Sequence, residues 1–127
     1  MPDYDGTHFD PPAPVASVNV RNPDNGATAS GIRMLIDSGA DVTLVPRSAL
    51  VGVGIEMASA KHYELMGFDG TISRTPAVRL EMIFHGRTFR GQFLLIDSDW
   101  GIVGRDVINL LSLMLNGPKQ TWELLKL

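Results

Sequence analysis

Every second residue from Val78 to Phe84 is apolar, and the run stops at His85-Gly86 before an apolar stretch resumes at residues 89–96. A period of two places alternate side chains on one face of a strand, so this region reads as a β-hairpin with one face turned to a core. Upstream, residues 15–20 alternate, Asn22-Pro23-Asp24-Asn25-Gly26 carries turn chemistry, and residues 32–36 form another apolar run. They predict a second hairpin. Residues 42–45 predict a short strand, followed at 46–50 by one helical turn with proline near its start. Residues 62–66 and 71–74 flank Gly67-Phe68-Asp69-Gly70, whose glycines suit a hairpin tip. A last alternating stretch, residues 121–125, predicts a closing strand at a sheet edge or a subunit boundary. One helix is expected, starting at Gly104-Arg105-Asp106, because Val107, Leu110, Leu111 and Met114 recur at helical spacing, and ending before Asn116-Gly117-Pro118. The expected fold class is all-β with one short C-terminal helix.

The 127 residues suit one domain. Residues 1–13 hold Asp3, Asp5, Asp10 and several prolines with little apolar content, so they are expected to be a flexible lead-in to a domain at 14–127. A formal charge of −3, with eleven scattered Lys and Arg residues, gives no basic stripe for phosphates and argues against a nucleic-acid partner. The apolar runs are too short to span a bilayer as helices, so no membrane partner is expected. The start Met1-Pro2-Asp3-Tyr4-Asp5 has neither the basic residues nor the apolar stretch of a secretory signal, which gives a cytoplasmic expectation. Without cysteine there is no thiolate catalysis and no disulfide. His8, His62 and His85 are isolated and lack ligand spacing, so neither metal nor cofactor is expected. Trp100 and Trp122, near the helix start and the terminal strand, are placed at an interface.

The candidate chemistry lies at Asp37-Ser38-Gly39-Ala40-Asp41, directly after the apolar run Met34-Leu35-Ile36. Asp37 supplies an acid, the Ser38 hydroxyl can hydrogen-bond backbone, Gly39 has conformational freedom, and Ala40 leaves room beside the carboxylate. The triplet Asp-[Ser/Thr]-Gly arises in about one chain in twenty of this length at ordinary residue usage, so its context must decide. That context is Trp100-Gly101-Ile102-Val103-Gly104-Arg105-Asp106, an apolar strand running through glycine into a helix start.

The two motifs, in this order and separated by a β-rich spacer, resemble the retropepsin-like aspartic peptidases over residues 15–115. The resemblance implies an acid-protease fold in which this chain is a single-lobe subunit of a symmetric homodimer. It implies that Asp37 is the catalytic acid and that Ser38 joins a hydroxyl network between the two active-site loops. Gly39 would meet substrate backbone. Asp41 would lie at the cleft edge, paired with Arg105, with Gly104 and Arg105 as structural support. Met66, Gly67, Phe68, Asp69 and Gly70 would form the flap over an extended peptide or protein substrate. Only one such triplet exists, since Asp97-Ser98-Asp99 lacks the glycine, so the second carboxylate would come from a second copy. Ser38 stands where Thr is commoner, and Phe68-Asp69 replaces a more glycine-rich tip.

The expected function is therefore an aspartic endopeptidase in which an Asp dyad activates water. The competing reading is a catalytically silent dimeric module of the same fold that binds peptides or scaffolds a partner. A glycosidase using Asp37 and another acid ranks last, because it explains neither Gly39 nor the Gly-Arg-Asp helix start.

Overall fold

The computed structural model describes residues 2–55, 61–66 and 70–126. Ten strands make up most of it: β1 (Tyr4–Asp5), β2 (Ala13–Arg21), β3 (Thr28–Ile36), β4 (Leu44–Pro46), β5 (Lys61–Met66), β6 (Ile72–Phe84), β7 (Arg87–Ile96), β8 (Gly101–Val103), β9 (Ser112–Asn116) and β10 (Thr121–Leu125). A 3-10 turn, Arg47–Leu50, follows β4, and one helix, α1 (Arg105–Ile108), follows β8. The three expected hairpins form as β2–β3, β5–β6 and β6–β7.

Eight strands share one sheet in the order β1-β2-β3-β8-β4-β7-β6-β5, and β2 also pairs with β6. That extra pairing closes six of the strands into a ring around the core. The alternation in the sequence sorts its residues as expected: Val78, Leu80, Met82 and Phe84 of β6 all point inward and are buried, as do Val18 and Val20 of β2 and Met34 of β3. Each such side chain, fully buried, contributes about 1.5–3 kcal/mol relative to exposure. Across the outside of the ring, the buried Glu81 carboxylate accepts hydrogen bonds from Arg21 (2.9 Å) and Arg90 (2.5 Å), tying β2, β6 and β7 together. These bonds, with Arg21 the larger contributor, pull its pKa from 4.5 to about 2.

Three expectations change at the ends of the chain. The helix stops after one turn at Ile108, and Ser112–Asn116 is instead strand β9, paired antiparallel with β10. The apolar spacing from Val107 to Met114 fits a helix face, but residues 112–116 find a strand partner across the 117–120 turn, and that pairing prevails over local spacing. The expected lead-in also contains structure. β1 pairs with β2, and Asp3 bridges to Thr121. Trp122, expected at an interface, belongs to this chain's own core. It is fully buried, stacks on Phe84, and its indole N–H donates to the Val15 carbonyl at 2.8 Å. Trp100 is half-buried within the chain, edge-on to Phe9 and beneath the Arg33 guanidinium.

Candidate active site

The corner that presents Asp37 is formed where β3 ends beside β8. The parallel register pairs Ile36 with Val103, and the Asp37 N–H continues the ladder to the Val103 carbonyl at 3.0 Å. After Asp37 the chain turns sharply. Its side-chain Oδ1 accepts the Gly39 N–H at 2.9 Å, and its carbonyl accepts the Ala40 N–H at 3.2 Å. An aspartate holding the backbone N–H two residues on is the ordinary means of setting such a turn. Here it fixes one carboxylate oxygen of the half-buried residue.

The start of α1 fastens this corner. The Arg105 N–H donates to the Ala40 carbonyl at 2.8 Å, and its guanidinium Nη1 donates to the Ser38 carbonyl at 2.7 Å. Gly104 is required by space: a Cβ there would lie 2.4 Å from the Val42 carbonyl oxygen. The structure thus brings Asp37, Ser38, Gly39, Ala40, Gly104 and Arg105 together as the two sequence motifs suggest. The expected Arg105–Asp41 ion pair is absent among the described residues. Asp41 is exposed, where a carboxylate gains little from pairing, and the guanidinium is engaged by a backbone carbonyl instead.

A second fastening was missed from the sequence. Thr43 is 1% exposed, and its hydroxyl donates to Asp106 Oδ1 at 2.6 Å while accepting the Gly104 N–H at 3.1 Å. The Thr43 N–H reaches Asp106 Oδ2 at 3.1 Å. In the sequence, Asp106 marks only the expected helix start. The one available signal was a hydroxyl at an inward position of an otherwise apolar strand, too common a feature to name a partner 63 residues away.

Of the expected flap, Met66 and Gly70 lie on the β5–β6 hairpin, with Met66 opposite Ile72 and both exposed. Gly70 has φ of +83°. Gly67, Phe68 and Asp69 lie outside the described residues. At the hairpin's base, where the β6–β7 pairing begins at Ala77, the Thr75 hydroxyl donates to the Leu95 carbonyl at 2.5 Å and accepts the Leu95 N–H at 3.1 Å. It holds the departing strand to β7 by a side chain. Among the described residues, no group of His, Asp and Glu could hold a metal ion, and no helix is long and apolar enough to cross a membrane.

No model of a known protein family matches the chain, and no curated protein matches it. Among solved structures, it is similar to the EIAV protease complexed with the inhibitor HBY-793, at 19% identity and a TM-score of 0.50, over 76% of this chain and 86% of that one. At this identity the likeness establishes the fold, which is all-β and retropepsin-like.

Proposed function

We propose that this chain is an aspartic endopeptidase that works as a homodimer, with Asp37 of each subunit forming the catalytic pair. The observation that carries the reading is the corner itself. A half-buried aspartate, one oxygen held by the Gly39 N–H, sits in a loop braced by a Gly104-Arg105 helix start within a retropepsin-like fold. A carboxylate needing only to be a turn residue would not require a close-packed Gly104 and a part-buried Thr43–Asp106 bond behind it.

Two carboxylates within a few Å do not both ionise readily, so the pair holds one proton between them. The ionised member takes a proton from water as its oxygen attacks the scissile carbonyl. The protonated member donates to the carbonyl oxygen, and collapse of the tetrahedral species transfers a proton to the leaving amine. The products are a carboxylic acid and an amine, with no covalent enzyme intermediate. In this reading an extended peptide runs past Gly39 and Asp41, and the hairpin carrying Met66–Gly70 covers it. Main-chain hydrogen bonds supply affinity and apolar pockets supply preference.

The test is incubation of the purified protein with a mixed peptide library from mildly acidic to neutral pH, with and without a statine-type inhibitor. Cleavage that the inhibitor abolishes supports the peptidase. A folded dimer that cleaves nothing across this range overturns it in favour of a silent peptide-binding module.

A further inference from the structure

We infer that the open cavity between the β6–β7 turn and β10 binds a small organic monoanion, a carboxylate carried on an apolar group, with Arg87 and Lys126 supplying the positive charge. The cavity shares no residue with the Asp37 corner, so the inference stands apart from the peptidase reading.

The cavity has a volume of about 500 Å³, within the range of roughly 300–1,000 Å³ usual for small-molecule sites. Three pieces of chain wall it: the turn His85-Gly86-Arg87, the end of β10 with Glu123, Leu124 and then Lys126, and Pro2. Pro2 is tied to β10, because its carbonyl accepts the Trp122 N–H at 3.1 Å. Alternate N–H groups of an antiparallel strand point to opposite edges, so the Leu124 N–H leaves β10 on the same edge as that of Trp122. It gives the Leu124 wall a main-chain donor.

The charge on these walls is uncompensated. Arg21, Arg47, Arg79 and Arg90 each hold a carboxylate, whereas Arg87 and Lys126 are exposed and form no ion pair among the described residues. Glu123 also lines the cavity and pairs with neither. Two cations against one carboxylate leave the cavity net positive even with His85 neutral. A monoanion balances that charge, while a dianion would face Glu123. The planar guanidinium fork suits a carboxylate, and Pro2, Leu124 and the imidazole face give an apolar body somewhere to lie.

His85 is the residue that the turn alone does not explain. The two-residue loop joins Phe84 to Arg87, with φ of +46° at His85 and +81° at Gly86. Both are left-handed, as in the hairpin turn whose usual first residue is Asn, Asp or Gly. The imidazole held there lies edge-on to the buried Trp122, ring centres 4.9 Å apart, which fixes it at the cavity wall. Side chains kept in sparsely populated backbone regions cluster at ligand sites.

The probe is phenylacetate, titrated into isotope-labelled protein and followed by amide chemical shifts. Saturable shifts are expected at residues 85–87 and 123–126. Phenethyl alcohol, a similar body without the charge, is expected to bind about tenfold or more weakly, because a charge-assisted hydrogen bond is lost. Inorganic phosphate, which lacks the apolar body and carries a second charge toward Glu123, is also expected to bind more weakly, and Glu123→Gln should narrow that gap. Arg87→Gln and Lys126→Gln, both at exposed positions, should each weaken phenylacetate by about tenfold with an unchanged far-ultraviolet spectrum. His85→Asn suits the same turn, so it should stay folded and lose affinity several-fold. Acetyl-glycyl-phenylalanine, with its amide as control, identifies the carrier: binding tighter than phenylacetate assigns the carboxylate to peptide C-termini, and weaker binding to free acids. Shifts that do not saturate or that lie elsewhere, equal binding of phenethyl alcohol, or unchanged affinity in both Arg87→Gln and Lys126→Gln would each overturn the site.

Discussion

At the scale of single residues, the aspartate proposed as catalytic sits in a corner braced by groups to which no chemistry is assigned. Thr43→Val keeps the shape but strips the hydroxyl, leaving the Gly104 N–H and one Asp106 oxygen without that partner. Urea unfolding is expected to show a loss of about 1–3 kcal/mol, while Thr43→Ser recovers most of it. Glu81 gives a pH signature. Its pKa is lowered in the folded chain, so its contribution to stability is complete above the ordinary value near 4.5 and is lost as pH falls toward about 2. Glu81→Gln is expected to flatten the acid dependence of the melting temperature across that window and to leave the slope at higher pH unchanged. The turn at Asp37 was legible because it is written in adjacent residues, Asp37-Ser38-Gly39. Thr43 with Asp106 was not, because nothing local to either residue names the other. The misassigned Arg105 shows the same limit: its importance was legible, but its partner is a backbone carbonyl, which leaves no mark in sequence.

At the scale of elements, strands were readable wherever one face is buried and the other wet, as in β2 and β6, because burial then imprints a period of two. The pattern failed at residues 107–116, where leucines at helical spacing serve one helical turn and then a strand. The choice there is made by pairing with β10. The β5–β6 hairpin was legible from its glycines, but the Thr75 clasp at its base was not. If this hairpin covers the substrate, its tip must move while its base stays held. Gly70→Val forces a β-branched residue into φ of +83°, although a Cβ there would meet no atom within 4 Å. The expected outcome is a folded protein that loses about 1–2 kcal/mol of stability and about tenfold or more in turnover. Full activity in that variant would remove the hairpin from the mechanism.

At the scale of the whole molecule, closure of the ring by β2 pairing with both β3 and β6 was beyond reach of the sequence, since it depends on contacts some sixty residues apart with no shared motif. Within that ring, the parallel pairing of β3 with β8 brings the two motifs into register and sets the Asp37 corner at one end of β3, with α1 and then β9 following β8. One chain carries one such corner, so the proposed activity requires two copies to make one site. Wild-type and Asp37→Asn chains, mixed in equal amounts and allowed to exchange fully, separate the possibilities. If each site needs Asp37 from both subunits, hybrid dimers are inactive, and peptide hydrolysis falls to about a quarter of that of the same total concentration of wild-type chains. Hydrolysis at about half, tracking the wild-type fraction linearly after exchange has been demonstrated, would contradict a shared site.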